Sequence, residues 1–247
     1  MILLPFAWQR VVADKAEIKR HWPAILLLGA IGVGSFNAFL YSGLQYTTAT
    51  NAMLIQAMIP ATVLGLSFLI FRTRPEAGQV PAVVIAAAGV VIIVFKADVM
   101  AMLSLRFGSG DALVLCGVLA WSLYTALLRI APPIHPLSFL ALTFLIGVAM
   151  MLPLAMFEWR LSTIKFTAEV AASFAYVAIL PSLVAYLLFN IAVRQIGANK
   201  AGQMVSLQPL FGALLSVLLL DEQLHNYHFS GIALILLGIA YPMLKSR

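Results

Sequence analysis

WPAILLLGAIGVGSFNAFLYSGL, residues 22–44, carries no charged side chain from end to end. A run of about 20 apolar residues is what an α-helix needs to cross the ~30 Å hydrocarbon core of a bilayer. Seven more blocks of this kind follow: Ala49–Phe71, Val80–Phe95, Gly110–Leu128, Pro136–Phe157, Val170–Val193, Ala201–Leu220 and Phe229–Leu244. One such block can belong to a soluble core, but eight in 247 residues leave too little polar sequence to cover a soluble surface. The composition agrees, with 63% hydrophobic and 10% charged residues and a mean hydropathy of +1.02. Soluble domains carry roughly 25% charged residues. The chain reads as an all-α integral membrane protein.

The connectors between blocks alternate in basic content. Arg10, Lys15, Lys19, Arg20, Arg72, Arg74, Arg129, Arg194, Lys200, Lys245 and Arg247 fall on one side, while Lys96, Arg106, Arg160 and Lys165 fall on the other. The richer side is expected to face the cytoplasm, which puts both ends of the chain inside and fits a bacterial cytoplasmic (inner) membrane. The acids lean the opposite way, with Asp98, Glu158, Asp221 and Glu222 in outer connectors and Asp111 and Glu169 at outer helix starts. The net charge of +6 then reflects topology and attraction to anionic lipid, with no nucleic-acid partner implied. Cys116 is the only cysteine, so no disulfide can form within the chain.

Ala49–Pro60 followed by Gly89 resembles Ala198–Pro209 followed by Gly238. Pro60 and Pro209 are 149 apart, as are Gly89 and Gly238, Ala49 and Ala198, and Ala52 and Ala201. Leu4-Pro5-Phe6-Ala7 matches Leu152-Pro153-Leu154-Ala155 at nearly the same offset. Repeated matches in one register indicate a duplication. The carboxyl-terminal copy, residues 98–247, holds five blocks, and an odd number makes the two copies enter the membrane from opposite sides. The expected architecture is thus an inverted repeat of five plus five helices. In residues 1–97 only three blocks are complete, and MILLPFAW (residues 1–8) reads as the end of a second helix. The expectation is that the first helix and most of the second, roughly 40–50 residues at 1.5 Å rise each, precede this sequence. A native eight-helix protein is the alternative.

Pro209, then Leu220-Asp221-Glu222-Gln223-Leu224, then Gly231 through Gly238 form an ordered set in the last helix pair. Ala120-Trp121-Ser122-Leu123-Tyr124 opens the second half. With these features the chain resembles the drug/metabolite transporter superfamily in its ten-helix, EamA-like branch, and most of all the bacterial exporters of amino acids, aromatic ones included. The resemblance implies ten helices, cytoplasmic ends, small-metabolite substrates and alternating access around a central cavity. Phe71-Arg72-Thr73 departs from the pattern, because the first copy lacks the acid that Glu222 supplies in the second.

Polar side chains in hydrocarbon are costly unless they meet a partner or a wet cavity. Asn37, Tyr41 and Gln45 share one helix face at i, i+4, i+8, and the positions 149 further on are Tyr186, Asn190 and Arg194. The two stripes either face each other across a substrate cavity or act as hydrogen-bonded glue between helices. Gln45 and Arg194 belong nearer the membrane interface. Trp121, Tyr124 and Thr125 form an aromatic and polar patch away from the interfacial belts where Trp8, Trp22 and Trp159 are expected. That patch either stacks on a ligand or packs in the core. Gln56, Gln203, Ser206 and Gln208 are further polar groups within blocks, Gln56, Gln203 and Gln208 being counted with the cavity. Pro60 and Pro209 interrupt corresponding helices and serve as hinges or as static kinks.

No carboxylate lies near the centre of any block, which favours a neutral or zwitterionic substrate and facilitated or weakly coupled movement. An exporter of lipophilic drugs or cations is the nearest alternative. A membrane enzyme or scaffold is the other: the sequence holds neither His-Glu-x-x-His, Gly-x-Ser-x-Gly nor a P-loop lysine motif. His21, His135, His225 and His228 lie at block borders and suggest no metal site. The expected partners are a small-molecule substrate and lipid, with no cofactor, and the chain is expected to act as a monomer.

Overall fold

The structure is a computed structural model and describes residues 3–96, 98, 100, 103, 107–161, 167–220 and 225–245. Arg106, Lys165, Asp221, Glu222, Gln223, Leu224 and Arg247, used in the sequence reading, lie outside the described residues. All eight apolar blocks are helical, and the described elements contain no strand. Among the described residues, five stretches are long and apolar enough to cross a membrane: Trp22–Leu44, Ala49–Phe71, Ser109–Ile130, Pro136–Phe157 and Ala168–Ile196. Gln79–Val94 is apolar but shorter.

In chain order the helices are α1 (Leu3–Ala13), α2 (Lys15–Arg20), α3 (Trp22–Gly29), α4 (Phe36–Leu44), α5 (Ala49–Gln56), α6 (Ile59–Phe71) and α7 (Gln79–Val94). After them come α8 (Ser109–Leu127), α9 (Pro136–Leu161), α10 (Ala168–Val177), α11 (Ala185–Ile196), α12 (Ala198–Met204), α13 (Gln208–Leu220) and α14 (Asn226–Lys245). The first apolar piece does not end at Trp8 but continues as helix to Ala13. Thr48 and Thr167 cap α5 and α10, their hydroxyls accepting from the N–H groups of Asn51 and Val170, as helix starts favour. Arg72 takes a left-handed conformation and closes α6.

Several blocks are not single regular helices. α3 and α4 are joined by a π-helical stretch, Ala30–Ser35, and α10 and α11 by another, Ala178–Val184. Gly32 and Gly34 loosen the first; in the second Pro181 has no N–H to donate, so the ladder widens to a longer hydrogen-bonded ring. α5 and α6 are separated by a turn just before Pro60, and α12 and α13 by a 3-10 turn, Val205–Leu207, just before Pro209. The cause is the same in each case: a proline cannot donate to the carbonyl four residues back.

The chain divides into two compact units. Met1–Ala38 with Leu127–Gly197 forms the first, whose core includes Leu28, Val33, Phe139, Leu140 and Tyr186. There α3 and its π-helical continuation lie close on α9, and a Cβ on Gly29 would stand 2.9 Å from the Ile146 side chain. Phe39–Ala126 with Ala198–Arg247 forms the second, with Val63, Ala82, Ala86, Val90, Val114, Tyr124 and Ile235 in its core. Here α7 and α14 pack backbone to backbone. A Cβ on Gly89 would meet the Gly231 carbonyl at 2.5 Å, and one on Gly238 would meet the Ala82 carbonyl at 2.7 Å. Close packing through small residues is how membrane helices gain dispersion energy where lipid supplies no hydrophobic drive.

Candidate functional site

In the first unit the polar groups gather at the π-helical stretch of Ala30–Ser35. The Tyr186 hydroxyl donates to the Gly32 carbonyl at 3.0 Å. Asn37 donates through Nδ2 to the Val33 carbonyl at 2.7 Å and to the Tyr186 hydroxyl at 3.3 Å. Phe144 sets the tyrosine ring from α9, edge-on at 5.2 Å. The structure therefore brings Asn37 and Tyr186 together, and they touch directly. Asn190 is buried one turn beyond Tyr186. A further turn on, Arg194 donates to the carbonyls of Ile134 at 3.0 Å and Pro132 at 3.2 Å and lies over the Phe139 ring. A cation at the carboxyl end of α11 also suits the helix dipole. Tyr41 and Gln45 belong to the other unit and are exposed, Tyr41 by 51%.

In the second unit the two proline breaks line one small cavity. Met53, Gln56, Ala57 and Pro60 come from the first broken helix, Val205, Ser206, Gln208 and Pro209 from the second, and Val90 from α7. The space open to the centre of a water molecule is about 30 Å³. One water needs roughly 10–15 Å³ on that measure, so the cavity has room for water and not for an amino acid. Gln56 and Gln208 are thus brought together with both prolines. Gln203 is not part of this lining; its Nε2 donates to the Gly238 carbonyl at 2.9 Å and ties α12 to α14.

Trp121 and Tyr124 are buried on α8, with ring centroids 5.5 Å apart. Thr125 is fully buried, and its hydroxyl donates to the Trp121 carbonyl at 2.8 Å, a bond within its own helix. Beside them Ser122 pairs with Thr62 of α6.

One buried polar centre was not among the expected site residues. Asp111 is 4% exposed. Its Oδ2 accepts from the Gly108 N–H at 2.6 Å, and its Oδ1 accepts from Asn51 Nδ2 at 3.2 Å and from the Thr47 hydroxyl. It closes the first turn of α8 in the manner of a capping box and pins the start of α5 to it. An acid three residues after a glycine at a block border was the available signal. The expectation of an acid at a helix start was right, but nothing in the sequence pointed to Thr47 and Asn51.

These are the features of a multi-pass helical membrane protein whose polar groups are turned into its helix packing. The model of the EamA-like transporter family matches residues 1–95 and 108–243, and the chain belongs to that family. It is 26% identical over 227 residues to the uncharacterized transporter YyaM of Bacillus subtilis (strain 168), covering 91% of this chain and 74% of the relative. With the uncharacterized transporter YetK of the same organism it shares 26% over 245 residues, 94% of this chain and 71% of the relative. An uncharacterized transporter of Archaeoglobus fulgidus is 26% identical over 217 residues, 87% of this chain and 73% of its own. A protein known from a crystal structure has the same fold, with a TM-score of 0.79 at 19% identity over 96% of this chain and 83% of its own. Family and relatives point to a transporter rather than an enzyme.

Proposed function

We propose that this protein moves a small neutral or zwitterionic metabolite, an amino acid in the first instance, out of a bacterial cell by alternating access, without proton coupling. The scaffold we propose is an inverted repeat whose copies are residues 1–97 and 98–247, with both visible ends cytoplasmic. The proline breaks are its hinges. The observation that carries this reading is the pairing of those breaks around one cavity. Gln56 and Val205, Ala57 and Ser206, and Pro60 and Pro209 all line it, and each pair is 149 residues apart.

Other features keep the same offset. The π-helical stretches Ala30–Ser35 and Ala178–Val184 correspond almost residue for residue, and Asn37 and Tyr186, also 149 apart, bond to each other. The family match falls in two stretches that divide where the proposed copies divide. A helix broken beside a cavity can bend without forcing side chains into one another, because its neighbours leave it volume to move into. The lining carries amides and a hydroxyl, uncharged groups that can hydrogen-bond water in the space the breaks leave. Trp121 and Tyr124, buried on α8 in this structure, are the aromatic pair on which an amino-acid solute would stack in a state that uncovers them.

The test is flux in liposomes. Purified protein should move an amino acid down its gradient with no pH difference, and Pro60→Ala with Pro209→Ala should slow that flux severalfold at unchanged folded yield. Wild-type flux in the double variant would overturn the hinges. Wild-type protein that moved no amino acid from a full panel, or did so only with a pH gradient, would overturn the substrate class or the uncoupled mechanism.

A further inference from the structure

The corner formed by α1 and α2 carries four cations within eleven residues: Arg10, Lys15, Lys19 and Arg20, all exposed. The two acids of the same stretch are already engaged. Asp14 accepts the His135 backbone N–H at 2.9 Å. Glu17 lies 3.2 Å from His21 Nδ1. The Asp14 bond also fastens the corner to the connector before α9, so the cations stand on an anchored platform and not on a loose arm. Large aromatic side chains flank them on both sides, with Phe6 74%, Trp8 64% and Trp22 59% exposed. Trp22 opens a stretch long and apolar enough to cross the bilayer. Exposed tryptophans at the end of a span sit at headgroup level.

We propose that this corner is a binding surface for the phosphate of anionic lipid, phosphatidylglycerol being the simplest case. Two features favour lipid over a soluble acidic partner. The cations adjoin the start of a membrane span, where headgroups are the nearest anions. The aromatic residues that flank them are placed to enter the interface, so headgroup and acyl-chain contacts are available to one and the same ligand. Lys15 and Lys19, four apart on α2, share a face. A phosphate between them would be met by two ammonium groups and, next in sequence, by the Arg20 guanidinium.

The surface owes nothing to the transport reading and is tested apart from it, on the intact protein. Native mass spectrometry from mixed micelles gives the binding ratio of phosphatidylglycerol to phosphatidylcholine. Each basic residue near an anionic surface contributes about fivefold in binding. The variant K15Q/K19Q/R20Q should therefore lower the ratio on the order of 100-fold, while K200Q, whose cation already faces Glu76, should change it less than twofold. Raising salt from about 0.05 to about 0.5 M should weaken retention by wild-type protein as the Debye length shrinks, a check that needs no variant to fold. A triple variant with the wild-type ratio, or wild-type retention indifferent to salt, would overturn the proposal. So would stronger retention of a soluble polyanion, such as heparin, than of the lipid at equal charge.

Discussion

Replacing Asp111 should destabilise the second unit more than replacing any other single polar residue described here. The carboxylate is almost wholly buried and accepts from Thr47, Asn51 and Gly108. Hydrogen bonds to a charged group are worth about 1.5–3 kcal/mol each, and a donor left buried without an acceptor costs about 1–3 kcal/mol. Asp111→Ala strands three donors. Thr47 and Gly108 border connectors where water can reach them, so the sum falls below three full penalties, to about 3–4 kcal/mol. Asp111→Asn keeps an oxygen for Thr47 and Asn51 but turns an amide N–H₂ toward the Gly108 N–H, setting donor against donor. The expected loss is about 2 kcal/mol.

Equilibrium unfolding in mixed micelles of dodecyl maltoside and SDS measures both variants, and a cycle with Thr47→Val isolates one bond of the three. The predicted order is wild type, then Asn, then Ala, with a Thr47–Asp111 coupling above about 1 kcal/mol. An alanine variant within about 0.5 kcal/mol of wild type would refute the reasoning, since it would mean that the three donors find water as readily as they find the carboxylate. An asparagine variant less stable than alanine would refute the donor accounting in particular.

Tyr186→Phe removes the bond to the Gly32 carbonyl and the acceptor for Asn37, and unfolding titration should show a loss of about 1–2 kcal/mol. Gly231→Ala places a methyl group against the Gly89 carbonyl, at 2.7 Å; prising α7 and α14 apart should cost about 1–3 kcal/mol by the same titration. Trp121→Ala should lower amino-acid flux in liposomes by more than it lowers folded yield, with Leu127→Ala as the packing control; equal losses in both would return Trp121 to the core. Asp14 gives a pH signature. Burial opposes its ionisation, but the nearby Ser138 hydroxyl, the His135 N–H and charge, and Arg10 outweigh burial and hold its carboxyl below the usual value. Its contribution to stability is therefore present above its unfolded value and lost as pH falls through its lower folded value. Stability curves below about pH 4 should flatten in Asp14→Asn.

The helices were legible because hydrocarbon allows so little else. A backbone that crosses it must satisfy its own N–H and C=O groups, so each long apolar run became helix, from Trp22–Leu44 through Asn226–Lys245. The breaks at Pro60 and Pro209 were legible for a related reason, as a missing N–H is written in the sequence itself. Other features were not. The π-helical stretch at Ala30–Ser35 holds glycines that permit a wider ladder without requiring one, and the Tyr186 hydroxyl that takes the Gly32 carbonyl comes from far along the chain. Thr47 and Asn51 are ordinary polar residues at a connector until α8 brings Asp111 beside them.

The expected stripe of Asn37, Tyr41 and Gln45 shows where sequence periodicity stops being informative. A spacing of four assigns residues to one helix face but not to one neighbour. Here Asn37 is tied to Tyr186 in the first unit, while Tyr41 lies beyond the division of the chain and is half exposed. The matching stripe of Tyr186, Asn190 and Arg194 stays within one unit, and its end residue is used on the carbonyls of Pro132 and Ile134. Two stripes related by one offset thus have unlike surroundings. If the offset marks a duplication, the polar pattern was inherited by both copies, and packing has since turned one copy's stripe inward and left part of the other's available. The residues to probe for substrate are then those the packing has not used: Tyr41 before Asn37, and Gln208 before Gln203. A scan in which Asn37 and Gln203 variants lost flux at full folded yield, while Tyr41 and Gln208 variants kept it, would reverse that order.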